Sequence, residues 1–112
     1  MKRIDAVIRQ ENLDHVRTRL IDIGVDGFTM TEVKGFGQQK GQTDSYRGIE
    51  YQLYFHSKLL LTIIARDEQI TDIVDAITQG ARTGAVGDGK IFISSLEEII
   101  RIRTGEIGPA AC

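Results

Sequence analysis

A glycine-rich segment before the last strand-like stretch carries the clearest chemical signal in the sequence. Residues 81–90 read Ala-Arg-Thr-Gly-Ala-Val-Gly-Asp-Gly-Lys. Glycines let successive backbone N–H groups turn toward one point and form an anion-binding nest, and a terminal lysine adds a charge suited to phosphate. The segment is not a Walker A motif, because no Ser or Thr follows Lys90. It indicates either a phosphate site or an ordinary glycine-rich turn between a helix and a strand.

A second signal is the run Arg101-Ile102-Arg103. If this run is extended, alternate residues point to one side and both guanidinium groups face the same way. Two parallel forks match the oxygens of a phosphate group. The alternative is a pair of solvated arginines near the end of the chain.

A long polar segment from Gly37 to about Tyr54 lacks an apolar period until its end and contains several glycines. A connection of this length inside a small domain is usually functional or disordered. It carries Tyr46, Tyr51 and Tyr54, and a tyrosine on an exposed loop is accessible to a modifying enzyme. The alternative is that these tyrosines pack locally.

Neither histidine indicates catalysis. His15 and His56 have no Ser, Cys or carboxylate at a recognisable motif spacing, no metal-ligand cluster is apparent, and Cys112 is the last residue. We therefore expect a protein that is not an enzyme. The 14 basic and 16 acidic residues give a formal net charge of −2, which argues against non-specific nucleic-acid binding. The apolar run Leu59–Ala65 is too short to span a bilayer, so we expect a cytoplasmic protein that meets a membrane only through a partner.

The elements that must position these residues follow from periodicity. Period-two alternation predicts a strand over Lys2–Arg9, and a helix opens at Glu11 or Asn12 and ends at Gly24. The helix carries an apolar stripe of Leu13, Val16, Leu20 and Ile23. A second strand is expected over Gly27–Phe36 and a third, central one over Leu59–Ala65.

Asp67 is the predicted N-cap of a second helix, whose stripe of Ile70, Ile73, Val74 and Ile77 ends at Gly80. A fourth strand is expected over Ile91–Ile93, followed by either a turn or an edge strand over Glu97–Arg103 and a mobile tail from Thr104. The order βαββαβ predicts one α+β domain, a ferredoxin-like sandwich with both helices on one sheet face. The other face then needs an oligomer or a ligand to cover it.

Three motifs in order resemble the PII signal-transduction family over Met1 to about Gly105. Residues 32–41 with 46–51 resemble its T-loop region, residues 81–84 with 87–92 its B-loop signature, and residues 101–106 its C-terminal signature. The resemblance implies a single domain over 1–112, a homotrimer, a long flexible T-loop at about 37–55, a B-loop at about 82–90 and a C-terminal segment at 101–112.

The resemblance also implies three clefts between subunits that bind adenine nucleotide, either ATP or ADP. The residues matching nucleotide-binding positions are Thr29, Gly35, Phe36, Gly37, Gln38, Ile64, Gly87, Asp88, Gly89, Lys90, Arg101 and Arg103. Gln39 and Lys58 match positions that receive 2-oxoglutarate with nucleotide-bound Mg²⁺, Gln39 being the position nearest the metal. Tyr51 matches a nucleotidylation site. The implied partners are an ammonium channel, glutamine synthetase or another regulatory enzyme, controlled in response to nitrogen status.

Three departures from the family pattern affect this expectation. Gln38 stands where the family usually has an arginine that reaches the outermost phosphate, and Thr62 stands where it usually has a glutamate that pairs with the B-loop lysine. Ile49 replaces a serine that other members phosphorylate. We therefore predict weak discrimination of ATP over ADP. A family branch that senses carbon, bicarbonate or energy status through ADP or AMP is the alternative, and a slow ATPase is a third hypothesis that lacks an apparent base.

Overall fold

A computed structural model of the chain describes residues 1–38, 44–46, 49–51 and 53–112, and it describes no side chains between 38 and 54. The strands are β1 (Lys2–Arg9), β2 (Thr29–Gln38), β3 (Asp44–Tyr46), β4 (Ile49–Tyr51), β5 (Leu53–Ala65) and β6 (Gly89–Ser95). The helices are α1 (Leu13–Asp22) and α2 (Ile70–Ala81), with 3₁₀ turns at Gln10–Asn12, Asp67–Gln69 and Gly108–Ala111. No helix in these described ranges is long and apolar enough to cross a membrane.

Four strands form one antiparallel sheet in the order β2-β5-β1-β6, and β3 pairs separately with β4. β5 pairs with both β1 and β2, and β1 pairs with both β5 and β6, so β1 and β5 are the central strands. The central position of β5 was predicted. With α1 and α2 this is the predicted ferredoxin-like arrangement.

The core lies between the sheet and the two helices. Ile4, Ala6 and Ile8 of β1 are buried, while the residues between them are not. Their neighbours across the ladder continue the same buried face, because directly opposed residues of an antiparallel pair share a face. The other buried apolar residues are Val16, Leu20, Leu59, Leu61, Ile63, Ala65, Ile73, Ala76, Ile77 and Ala81.

The side of the sheet away from the helices, here called the open face, has no layer over it among the described residues. Asp5 lies at its centre and accepts hydrogen bonds from Arg3 Nε at 2.9 Å and from the Thr62 hydroxyl at 2.7 Å. Two large apolar side chains remain in solvent on this face, Ile64 at 40% exposure and Phe92 at 54%. The face is mixed in polarity, as the sequence predicts.

The helix ends differ in part from the predicted ones. Gly24 has a φ of +88° and its N–H donates to Ile21 at 2.9 Å, which confirms it as the glycine that ends α1. Gly80 does not end α2, which continues through Ala81. The N-cap of the 3₁₀ turn before α2 is Arg66 rather than Asp67, whose carboxylate instead binds the amino terminus at 2.8 Å.

Gly80 is required by helix packing. A Cβ built on it would lie 2.8 Å from the Cα of Val16 in α1, closer than two carbon atoms can approach. The two helices therefore cross with backbone against backbone at this point. Gly24 and Gly80 both follow an apolar stripe in the sequence. Only the tertiary contact shows that Gly24 ends its helix and that Gly80 lies at a close helix crossing.

The polar segment contains more strand than the sequence predicts. β2 extends to Gln38 and β5 begins at Leu53, and these two residues are paired in the ladder. Phe36 and Phe55 face each other across the same ladder with ring centroids 5.0 Å apart. Such cross-strand aromatic pairs stabilise a two-stranded ribbon where an apolar period is absent.

The C-terminal residues form a compact turn rather than an edge strand. One isolated bridge joins Ile100 to Ile107, and the N–H of the buried Gly108 donates to Ile99 at 2.9 Å. Arg66 Nη2 donates to the carbonyl of Pro109 at 3.3 Å. The tail predicted to be mobile thus folds back beside the end of β5.

Replacing Gly80 by alanine tests the helix crossing. Alanine favours a helix by about 1 kcal/mol over glycine, but here its Cβ forces α1 and α2 apart. We expect Gly80→Ala to lower the free energy of unfolding by about 1–3 kcal/mol in urea denaturation, as other overpacking changes do. Gly27→Ala, where a Cβ meets nothing within 4 Å, is the matched control. Equal stability of Gly80→Ala and the parent chain would contradict the close crossing.

Candidate functional site

The glycine-rich segment between α2 and β6 is closed by its own aspartate. Asp88 accepts hydrogen bonds from the backbone N–H groups of Thr83 and Gly84, each at 2.8 Å, and from the Thr83 hydroxyl. Gly84 and Gly87 have positive φ angles of 87° and 99°. The N–H groups at the start of the segment therefore converge on an anion, as the sequence predicts for a nest, but this anion belongs to the protein.

These bonds hold Asp88 in its ionised form. The Thr83 hydroxyl and the Thr83 N–H, with further bonds from the Gly84 N–H and Arg9, lower the pKa of Asp88 to about 2 against the opposing effect of desolvation. A carboxylate that accepts several hydrogen bonds favours its charged state in this way. Asp88 thus organises the loop by taking up its N–H donors.

Arg9, the last residue of β1, ties the loop to the sheet. Its Nη2 donates to the carbonyl of Val86 at 2.7 Å, and its Nε lies 3.4 Å from Asp88 Oδ1. Sequence reasoning did not single out Arg9. The alternation of β1 predicts that Arg9 lies on the open face. It does not predict the contact with a loop some 77 residues later.

Lys58 of β5 contacts the same loop from the neighbouring strand. Its Nζ donates to the carbonyl of Gly87. Burial, and then the nearby charge of Arg9, lowers the pKa of Lys58. The residue predicted to receive 2-oxoglutarate thus already holds a loop carbonyl, and two cations meet beside Gly87.

A groove of about 480 Å³ lies between this loop and the paired ends of β2 and β5. Its volume is within the range of small-molecule sites. The groove is lined by Gly35, Phe36, Gly37, His56, Lys58, Val86, Gly87, Gly89 and Lys90. Six of the predicted nucleotide-binding residues therefore come together here, along with Lys58.

Gly89 and Lys90 form the wall of the groove on the β6 side. Gly89 has a φ of +114°, and a Cβ on it would lie 1.8 Å from the carbonyl oxygen of Val7. Any side chain at this position would displace the end of β6 from β1. Lys90 is exposed, and it forms no ion pair within the described ranges. This agrees with the loss of the glutamate partner that Thr62 replaces, since the Thr62 hydroxyl donates to Asp5 instead.

Four other nucleotide candidates lie at the opposite end of the sheet. Thr29 opens β2 opposite Thr62, and Ile64 pairs with Arg3. Arg101 and Arg103 lie in the folded C-terminal segment beside Arg66. These four residues, Thr29, Ile64, Arg101 and Arg103, are called the tail-end set below.

The two arginines do not form the predicted parallel pair. Arg101 precedes a turn that ends at Gly105, with φ +72°, and it forms an ion pair with Glu106 at 3.0 Å. Arg103 lies within the turn and is exposed. The alternation that would align two guanidinium groups requires an extended chain, and a tight turn removes it.

The groove and the tail-end set are separated by the length of the sheet. Lys58 and Ile64 both lie on the open face of β5, opposite Arg9 and Arg3. Six residues of strand correspond to about 20 Å, longer than the span of a single phosphate group. One chain therefore presents two partial sets of candidate residues at opposite ends of the sheet.

Several predicted residues cannot be placed in the site. Gln39 lies outside the described residues, and Gln38 and Tyr51 are described only as the last backbone positions of β2 and β4. Their predicted roles at phosphate, at 2-oxoglutarate with magnesium, and in modification stay predictions. Among the residues that the structure describes, no group of three or more His, Cys, Asp or Glu side chains could hold a metal.

Comparison with known proteins identifies relatives over almost the full chain. The family model described as nitrogen regulatory protein P-II matches residues 1–106. A nitrogen regulatory protein P-II from Microchaete diplosiphon is 52% identical over 106 residues, covering 95% of each chain. One from Klebsiella oxytoca is 50% identical over 111 residues, covering 99% of each.

A solved structure agrees with these sequence matches. The crystal structure of Arabidopsis thaliana PII bound to citrate superposes with a TM-score of 0.80 and 32% sequence identity. It covers 98% of this chain and 87% of that one. The similarity therefore includes both the sheet and the segments that connect it.

The low pKa of Asp88 predicts a defined acid dependence. An unfolded aspartate titrates near pH 4. Because the folded pKa is about 2, the stabilisation is present above pH 4 and is lost as pH falls toward 2. Asp88→Asn should therefore be less stable than the parent chain at pH 7 and approach it near pH 2. NMR titration of the carboxyl groups follows the ionisation of Asp88, and denaturant unfolding measures the stability of each variant.

Asp26→Asn, which replaces an exposed aspartate, is the control. An Asp88 that titrates near pH 4 would contradict the hydrogen bonds that close the loop.

Proposed function

Because the chain belongs to the nitrogen regulatory protein P-II family, we propose that it is a homotrimeric signalling protein that binds adenine nucleotide between subunits. The family membership confirms the resemblance inferred from the three motifs. Its relatives are named as regulators, which fits the expectation that the chain is not an enzyme.

One observation carries the proposal. The groove and the tail-end set share one sheet yet lie about 20 Å apart, so a phosphate group that contacts both Lys90 and the arginines would have to lie between two copies of the chain. A head-to-tail ring lets the groove of each copy meet the tail-end set of the next, and three copies close it. The exposed Ile64 and Phe92 on the open face favour a neighbouring copy over solvent.

Within each cleft the two partial sites supply different chemistry. In the groove, Lys90 is an exposed cation next to Gly89, whose lack of a side chain lets the end of β6 pair closely with β1. Arg101 and Arg103 of the neighbouring copy supply guanidinium groups for the same phosphates. Ile64 and Thr29 offer an apolar contact and a hydroxyl to the adenine ring.

A second anion fits beside Lys58. Two cations, Arg9 and Lys58, lie next to Gly87, and Asp88 is already committed to the loop. A dicarboxylate such as 2-oxoglutarate, bound with nucleotide-associated Mg²⁺, would replace the Gly87 carbonyl as the partner of Lys58. The related structure with bound citrate supports carboxylate binding in this fold. Gln39 would be the nearest ligand to the metal.

The signal reaches a partner through residues 37–55. β2 and β5 border the groove and run directly into this segment, so a ligand in the groove contacts its base. The ligand can shift the segment only by binding its conformations with different affinity. Candidate partners are an ammonium channel, glutamine synthetase or another regulatory enzyme, and Tyr51 is a candidate site of nucleotidylation.

Mixing two defective variants tests the shared cleft. Lys90→Ala removes a groove cation and Arg103→Ala removes a tail-end cation, and both side chains are exposed. Each variant alone should lose at least about tenfold in ATP affinity. When the two variants are co-expressed and form trimers at random, about one quarter of the clefts take the groove from Arg103→Ala and the tail-end set from Lys90→Ala. Both halves of these clefts are intact, so they should bind ATP with normal affinity in calorimetry. Mixed trimers that bind no better than either variant would contradict a cleft between copies.

The residue at position 38 sets a second prediction. Glutamine carries no positive charge to pair with a γ-phosphate. ATP and ADP should therefore bind with similar affinity. Gln38→Arg should raise the preference for ATP by about tenfold, since a charge-assisted hydrogen bond is worth about 1.5–3 kcal/mol. Calorimetry with ATP, ADP and AMP, each with and without 2-oxoglutarate or bicarbonate, measures this. Clearly tighter binding of ATP by the parent chain would contradict it.

A further inference from the structure

The guanidinium of Arg101 is already occupied within its own chain. Its Nη1 donates to Glu106 Oε1 at 3.0 Å, and its Nη2 donates to the carbonyl of Ala110 at 3.5 Å. The Thr104 hydroxyl donates to the same Glu106 oxygen at 2.9 Å. Backbone bonds from Arg101 N to Glu106 O at 2.9 Å and from Gly105 N to Arg101 O at 2.8 Å close the turn.

We infer that Glu106 is an internal competitor for the phosphate at Arg101 and so sets how tightly the cleft binds nucleotide. The inference rests on the proposed function, in which Arg101 receives phosphate. A carboxylate and a phosphate are both anions that accept hydrogen bonds from guanidinium N–H groups. Glu106 holds Nη1 through one oxygen, so a phosphate can take both Nη1 and Nη2 of Arg101 only when Glu106 releases the side chain, and a retained Glu106 repels the phosphate.

The exposure of the pair indicates that the competition is graded. The side chains of Arg101 and Glu106 are 38% and 41% exposed. An ion pair between such partly exposed side chains changes an equilibrium constant by up to about fivefold. A bidentate contact between arginine and phosphate is stronger than this. Nucleotide therefore displaces Glu106, at the cost of part of its affinity. The Thr104 hydroxyl keeps the carboxylate positioned for return.

The competition also links the cleft to the end of the chain. The bond from Arg101 to Ala110 is one of the contacts that hold the 3₁₀ turn at Gly108–Ala111. When Arg101 turns to phosphate it leaves this carbonyl, while the bond from Gly108 to Ile99 remains. Nucleotide occupancy should thus loosen only the last residues.

Substitution of Glu106 by glutamine tests the inference. Glu106→Gln keeps the side-chain shape but removes the competing charge, and calorimetry should show ATP binding about two- to fivefold tighter. Glu97→Gln, an exposed glutamate in the segment before the turn, removes the same charge away from Arg101 and should leave affinity unchanged. Unfolding midpoints of both variants without ligand exclude a general change in stability.

A double-mutant cycle separates this inference from the proposed function. In an Arg101→Ala background, Glu106→Gln should no longer raise ATP affinity, because the contested donor is absent. An equal gain in that background, or no gain in the parent chain, overturns the competition. If Arg101→Ala alone leaves ATP affinity unchanged, or if no nucleotide binds, the proposed cleft itself is wrong.

Discussion

The structure depends on the register of β1 between its two neighbours. Buried Ile4, Ala6 and Ile8 fix which face of this strand meets the helices, and a slip by one residue would exchange the two faces. The same register holds Arg9 against the glycine-rich loop and Arg3 beside Ile64 at the other end. A strand of eight residues therefore sets both the location and the separation of the two partial sites.

In the proposed function, this separation is the reason why the chain would need copies of itself to complete a nucleotide site. The groove has cations but no second wall, and the tail-end set has guanidinium groups but no loop around them. Internal anions occupy part of each. Asp88 takes up N–H groups of the loop, and Glu106 holds Arg101, so part of the positive charge of each partial site is already balanced within the chain. The cations of each partial site, which would otherwise repel one another, can therefore lie close together in a single folded chain.

Much of this fold could be predicted from periodicity, and the exceptions share a cause. The alternation in β1 and the apolar stripes of both helices are local patterns, and they gave the element order correctly. Gly80, Arg9 and the pairing of Phe36 with Phe55 act through contacts far apart in sequence. The folded tail from Thr104 was missed because its closure depends on Glu106 bonding back to Arg101. The candidate residues were found mainly through motif resemblance, and the structure added how they are divided and what already occupies them.

Native mass spectrometry of the intact chain with increasing ATP tests the central claim most directly. Division of the site between copies predicts a trimer that takes up to three nucleotides, and no nucleotide on dissociated monomers. Nucleotide bound stoichiometrically to a monomer would show that one chain holds a complete site, and would contradict the account.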